Sequence, residues 1–157
     1  MTPNFDERIA SIIRALTEVI LPHLPPEAAL AQEQTQLCIG QLQIMQAQLD
    51  AMSGFEREEL DDAIAVGNAL IAAIKDGGVA TKNALTSLTS AINAADGSDV
   101  RQQRQTIYDA VEALVKAAAD DGEEQPRATI MNVILEYEAL RVQKDREWFA
   151  PFGFDTL

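Results

Sequence analysis

Residues 4–21 have the sequence NFDERIASIIRALTEVIL, and the signals in this stretch recur along the whole chain. Asn4 and Glu7 have the spacing of a capping box, which satisfies free amides at the start of a helix. The apolar residues that follow recur every three or four positions, the period of one helical face. They are Ile9, Ile12, Ile13, Leu16, Val19 and Ile20. The stretch predicts an amphipathic helix over about residues 4–21.

Five further segments show the same apolar period between helix-breaking residues. The second segment contains seven glutamines, which give it neutral hydrogen-bonding arms instead of charges. No segment alternates apolar and polar residues between hairpin turns, so no sheet is predicted. The boundaries lie at the prolines of 22–26, at Ser53-Gly54, at Gly77-Gly78, at Asp96-Gly97 and at Pro126.

Short loops between these segments favour antiparallel neighbours, and no Pro-, Gly- or Ser-rich linker separates two domains. A chain of 157 residues is long enough to bury a core in one domain. We therefore predict an all-α fold with a single domain over residues 1–157. The expected architecture is an antiparallel helical bundle of about six helices, with the Gln-rich second helix as its spine and a C-terminal aromatic tail packed on it.

The net charge of −13 disfavours binding to nucleic acid or to an anionic membrane, because either polyanion repels an acidic chain. The closest group of cations, Arg141, Lys144 and Arg146, is interleaved with acidic residues. A cationic partner or simple solubility fits the charge better. The acidic N-terminal segment lacks the pattern of a signal peptide, and one cysteine forms no internal disulfide. We expect a cytoplasmic protein with no nucleic-acid or membrane partner.

The chain has one histidine and one cysteine, which leaves few means of building a catalytic or metal site. His23 lies between prolines without a Glu-x-x-His partner and is predicted to lie at the surface or pack in a loop. Cys38 lies on or beside the apolar seam of the second helix and is predicted to be an inert buried thiol. The carboxylates of 56–62 and 120–124 lack the spacing of a calcium loop and are assigned to helix dipoles and solubility. No catalytic, metal-binding or cofactor-binding residue is predicted.

Two groups of aromatic residues are candidates for binding. Tyr108 and Tyr137 are a candidate ligand pocket between helices, although tyrosines at the edge of a core with their hydroxyls in solvent are more common. The C-terminal aromatic residues form a candidate interface, which packs on the chain's own bundle or on a second subunit. These residues are Trp148, Phe149, Phe152 and Phe154.

The resulting functional prediction is a non-enzymatic interaction or assembly module, which is a homodimer or an accessory subunit of a complex with another protein. The alternative is a helical protein that binds a small molecule near the tyrosines. A metal-independent enzyme that relies on Asp, Glu and Tyr side chains alone ranks third.

Overall fold

A computed structural model of the chain describes residues 3–153, and within that range it contains six helices and no strand. The predicted all-α class is confirmed. Helix α1, residues 5–23, is α-helical over Phe5–Arg14, π-helical over Ala15–Ile20 and α-helical again over Leu21–His23. The next helices are α2 (Ala29–Gln48), α3 (Met52–Ala73), α4 (Val79–Asn93), α5 (Val100–Asp121) and α6 (Glu124–Phe149), and a 3₁₀ turn, Ala150–Phe152, follows α6.

Helix α1 begins where its sequence predicts but ends two residues later than predicted. The Asn4 side chain accepts a hydrogen bond from the Glu7 amide at 2.8 Å, and the Asn4 amide donates to Glu7 Oε2 at 2.9 Å, which completes the capping box. Pro22 has no N–H to donate, and its ring crowds the carbonyl one turn earlier. The wider π turn precedes this proline, and the helix continues through it to His23 instead of ending at Leu21.

By its backbone contacts the chain divides into two compact units, unit 1 (Met1–Ser53) and unit 2 (Gly54–Leu157). In unit 1, α1 and α2 pack as an antiparallel pair, and Gln46 Nε2 near the end of α2 donates to Asp6 Oδ1 near the start of α1 at 2.7 Å. Ile9 is the one buried residue among the described part of unit 1. The single domain and the single antiparallel bundle stay predictions.

The apolar core lies in unit 2 and is built by α3, α4, α5 and α6. Gly67 of α3 allows close packing on α4, because a Cβ at this position would lie 2.6 Å from Ile92 Cδ1. Helix α2 contributes no buried residue, and its role as the spine of the bundle stays a prediction. The largest fully buried side chains are Leu70, Leu88, Ile107, Leu114 and Thr81.

Asp121, from the acidic run at 120–124, has a structural role inside unit 2. Its carboxylate accepts hydrogen bonds from the Thr81 amide at 2.7 Å, the Thr81 hydroxyl at 2.6 Å and the Ala80 amide at 3.3 Å. These bonds cap the start of α4, and those from Thr81 are the main reason that the pKa of Asp121 is lowered. Gly78 makes room for this cap, because a Cβ there would lie 2.6 Å from Asp121 Oδ2.

Candidate functional site

Both tyrosines of the chain line one cleft in unit 2, which has a volume of about 200 Å³. Tyr108 comes from α5 and Tyr137 from α6, and both rings are half-buried. Burial is the main cause that raises the pKa of Tyr108, so its hydroxyl stays protonated at neutral pH. The cleft is smaller than the roughly 300–1,000 Å³ of a typical drug-sized site. Its size therefore suits a small molecule.

The cleft has an apolar lining, to which Val66, Val111 and Ile134 contribute, and a charged rim. Each of these three residues comes from a different helix, and each follows the apolar register of that helix. The charged lining residues are Asp62, Glu138, Arg141 and Lys144.

Arg141 is the cation of the rim whose donors are least engaged by neighbouring carboxylates. It forms ion pairs with Glu138 at 3.8 Å and Glu59 at 4.0 Å. Both distances exceed the 2.7–3.2 Å of an N–H···O hydrogen bond. Its guanidinium carbon lies 5.7 Å from the centre of the Tyr108 ring, within the range of a cation–π contact. Burial lowers the pKa of Arg141, but Tyr108, Glu59 and Glu138 raise it to a net increase, so the side chain stays cationic.

Glu59 is a buried carboxylate that connects the cations near the cleft. It is 4% exposed and lies within ion-pair distance of Arg104 at 3.6 Å, Arg141 at 4.0 Å and Lys144 at 3.7 Å. Its Oε1 atom is buried without a hydrogen-bond partner. A buried carboxylate needs compensating charge, so these cations are held around it and the rim is fixed in place.

Lys144 joins α6 to α3 through several acidic side chains. It donates a hydrogen bond to Asp62 at 2.7 Å and lies 3.5 Å from Glu58. Burial lowers the pKa of Lys144, but the hydrogen bond to Asp62 and the neighbouring carboxylates raise it to a net increase. The sequence assigned the carboxylates of 56–62 to the helix dipole and to solubility. One of them, Asp62, binds a cation that lies 82 positions later in the chain.

Glu59, Arg104 and Arg141 were not predicted as site residues, although the register of the apolar faces contains them. Glu59 stands four residues before Ala63 on the face that buries Val66 and Leu70. Arg141 stands four residues after Tyr137 in the same kind of register. The sequence contains a signal for this cluster: charged residues of opposite sign stand at core-facing positions of three helices.

The candidate aromatic interface is partly engaged within unit 2. Trp148 stacks on Phe55 of α3 with ring centroids 4.2 Å apart and an interplanar angle of 25°. Trp148 and Phe149 lie on α6 itself, which continues past the basic turn because no helix breaker occurs before Pro151. Phe149 is exposed and Phe152 is half-buried in the 3₁₀ turn, whereas Phe154 lies outside the described residues.

Unit 1 leaves large apolar side chains in solvent on both of its helices. On α1, Phe5, Ile12 and Val19 are exposed at intervals of seven residues. On α2, Leu30, Leu37 and Met45 are exposed at intervals of seven and eight. The regular spacing places each set along one side of its helix.

Cys38 and His23 are both exposed side chains of unit 1. Cys38 is exposed on α2, so the prediction of a buried thiol is wrong. Helix α2 is apolar on more than one side, and Cys38 lies on a side that stays in solvent. His23 is exposed, and its Nδ1 lies 2.6 Å from the carbonyl oxygen of Val19, where it donates a hydrogen bond at the end of α1.

No protein-family model, curated protein or solved structure matches this chain. Over residues 3–153, no three His, Cys, Asp or Glu side chains are grouped so that they could hold a metal ion. In the same range, no helix combines the length and apolar character needed to cross a membrane.

Proposed function

We propose that the protein is a non-enzymatic interaction module that forms a homodimer through one exposed side of α2. The observation that carries this proposal is the exposed row of Leu30, Leu37 and Met45. At about 100° per residue, these three side chains fall within an arc of about 80°. We name this row, with Gln34 and Gln41 between its members, the α2 face.

The other side of α2 is already used within unit 1. Ile39 and Leu42 are half-buried, and their spacing places them on the same side of α2 as Gln46, which donates a hydrogen bond to Asp6 of α1. The α2 face, in contrast, stays in solvent, and Leu37 on it is 53% exposed. Large apolar side chains exposed along one side of a helix, with only uncharged polar residues between them, favour a surface that binds another protein.

Charge favours a second copy of the chain as the occupant. Residues 34–49 contain no charged side chain, although the chain has a net charge of −13. Two copies repel each other least where each presents no charge, and a basic partner would find no carboxylate to bind there. Gln34 and Gln41 both donate and accept hydrogen bonds, so the face can pair with itself across a two-fold axis.

Placing a charge on the α2 face tests this proposal. Leu37→Glu should shift the protein from dimer to monomer in sedimentation equilibrium, because each dimer would then bury two carboxylates. Leu135→Glu is the matched control, since Leu135 is 60% exposed on α6 and is replaced in the same way. Circular dichroism should show unchanged helix content in both variants. If both variants dimerise as the natural chain does, the α2 face is not the interface.

A second candidate function, the binding of a small molecule in the cleft, is favoured by the convergence of Tyr108 and Tyr137. The cleft offers an apolar lining and a cation with weakly engaged donors, the combination common in ligand sites. A ligand there should change the NMR signals of both tyrosine rings and leave distant signals unchanged. We further propose a cytoplasmic location, since the exposed Cys38 has no second cysteine with which to form an internal disulfide.

A further inference from the structure

The charged groups on the rim of the cleft differ in whether a neighbouring side chain forms a hydrogen bond with them. Lys144 donates to Asp62 at 2.7 Å, so this pair is already joined by a charge-assisted hydrogen bond. Arg141 and Glu138 lie 3.8 Å apart, beyond hydrogen-bond distance, and stand three residues apart on α6. On the rim of the cleft, Arg141 and Glu138 therefore form an ion pair without a hydrogen bond between them.

A ligand with one charge would satisfy only one member of this pair. A lone carboxylate would bind the guanidinium of Arg141 but would be repelled by the carboxylate of Glu138. A lone ammonium would bind Glu138 but would be repelled by the guanidinium of Arg141. A ligand that has a carboxylate and an ammonium on one carbon can bind both groups. The planar guanidinium of Arg141 suits a carboxylate because it offers two parallel donors.

The rest of the cleft indicates what side chain such a ligand would have beside its carboxylate and its ammonium. Val66, Val111 and Ile134 offer an apolar surface, and the Tyr108 ring lies against the guanidinium of Arg141. A volume of about 200 Å³ admits a single small molecule and not a peptide. The ion pairs that Arg104 and Lys144 form with Glu59 hold the rim in place independently of a ligand.

We infer that the cleft binds a small zwitterion of the amino-acid type with an apolar side chain. Its carboxylate binds Arg141, its ammonium binds Glu138, and its side chain packs on Val66, Val111 and Ile134. This inference rests on the second proposed function, ligand binding in the cleft, and adds the chemical class of the ligand. It does not depend on whether the protein dimerises.

Three probes with the same branched apolar group separate the contributions of the two charges. L-leucine has both charges, 4-methylpentanoate has only the carboxylate, and 3-methylbutylamine has only the ammonium. In NMR titrations of the intact chain, L-leucine should shift the ring signals of Tyr108 and Tyr137. It should bind about tenfold more tightly than either analogue, because each analogue lacks one charged hydrogen bond.

Variants of the two rim residues assign each charge. Glu138→Gln should weaken L-leucine about tenfold and leave 4-methylpentanoate unchanged or tighter, since it removes the ammonium partner. Arg141→Gln should weaken L-leucine and 4-methylpentanoate but not 3-methylbutylamine. Arg127→Gln is the matched control on α6, since Arg127 is exposed and does not line this cleft. Helix content of each variant should match that of the natural chain.

The outcomes separate this inference from the function on which it rests. If a singly charged analogue binds as tightly as L-leucine at the two tyrosines, the cleft is a ligand site but the zwitterion inference is overturned. If no probe shifts either tyrosine at millimolar concentration, both the inference and the ligand site for these molecules are overturned.

Discussion

Replacing Lys144 by methionine tests the charge network that connects α3 and α6. Lys144→Met keeps an unbranched apolar stem at this position and removes the ammonium, whose Nζ lies 5.4 Å from the centre of the Phe55 ring. It removes the hydrogen bond to Asp62 and the cation 3.7 Å from Glu59 Oε1. The buried Oε1 atom, which has no hydrogen bond, then loses its nearest cation.

The expected loss of stability is determined mainly by Glu59. Asp62 and Glu58 are partly or largely exposed, so water replaces Lys144 at both of them and the cost is small. Removing one cation from a buried carboxylate costs up to about 3–5 kcal/mol. The cost is smaller here, because Arg104 and Arg141 still lie near the other oxygen of Glu59. We expect a loss of about 2 kcal/mol, which lowers the melting temperature Tm by roughly 4–8 °C in a chain of this size.

Thermal unfolding followed by the fluorescence of the single tryptophan measures the Tm of unit 2, because Trp148 stacks on Phe55 beside Lys144. The control is Lys116→Met, which removes an ion pair with Glu112 in which both side chains are largely exposed. The control should leave Tm unchanged, because water replaces the lost partner. Equal Tm values for Lys144→Met and Lys116→Met would refute the view that the Glu59 network stabilises unit 2.

Three further predictions follow from the burial and hydrogen bonding of single side chains. Leu70 is fully buried, so Leu70→Ala should cost about 2–5 kcal/mol in urea denaturation, whereas Leu135→Ala on the exposed side of α6 should cost far less. Hydrogen bonds, chiefly from Ser98, lower the pKa of Asp96 from 3.8 to about 2, and those from Thr81 lower the pKa of Asp121. The stability that these carboxylates contribute is present above their ordinary pKa and is lost as the pH falls through the folded value. Melting curves should therefore show a decline below about pH 4 that is smaller in Asp121→Asn, and an equal decline in that variant would contradict the assigned cap. Cys38 is exposed, so a thiol reagent should modify the dilute native protein without denaturant, and complete protection would contradict its position.

The sequence predicted the helices because their ends have local signals. The capping box of Asn4 and Glu7 lies where α1 begins, and Asp99 accepts a hydrogen bond from the Gln102 amide at the start of α5. Gly122 ends α5 with a φ of 71°, a conformation that glycine adopts without strain. Each of these signals involves residues within a few positions of one another, which a single sequence contains in full.

The arrangement of side chains across helices was harder to predict. Lys144 and Asp62 are 82 positions apart, and no local pattern pairs them. Helix α2 is apolar on several sides, so periodicity alone did not show that Leu42 would be half-buried and Cys38 exposed. The tyrosines were selected by residue type, and their shared cleft with Arg141 depends on how α5 and α6 pack.

We propose that the α2 face, which carries no charged side chain, joins two copies of an acidic chain. Light scattering of the intact protein over a range of concentrations tests it most directly. The molar mass should rise with concentration to twice the 17.1 kDa of one chain, and added salt should promote the rise by screening the repulsion between the two copies. A mass of one chain at high micromolar concentration, at both low and high salt, would contradict the claim.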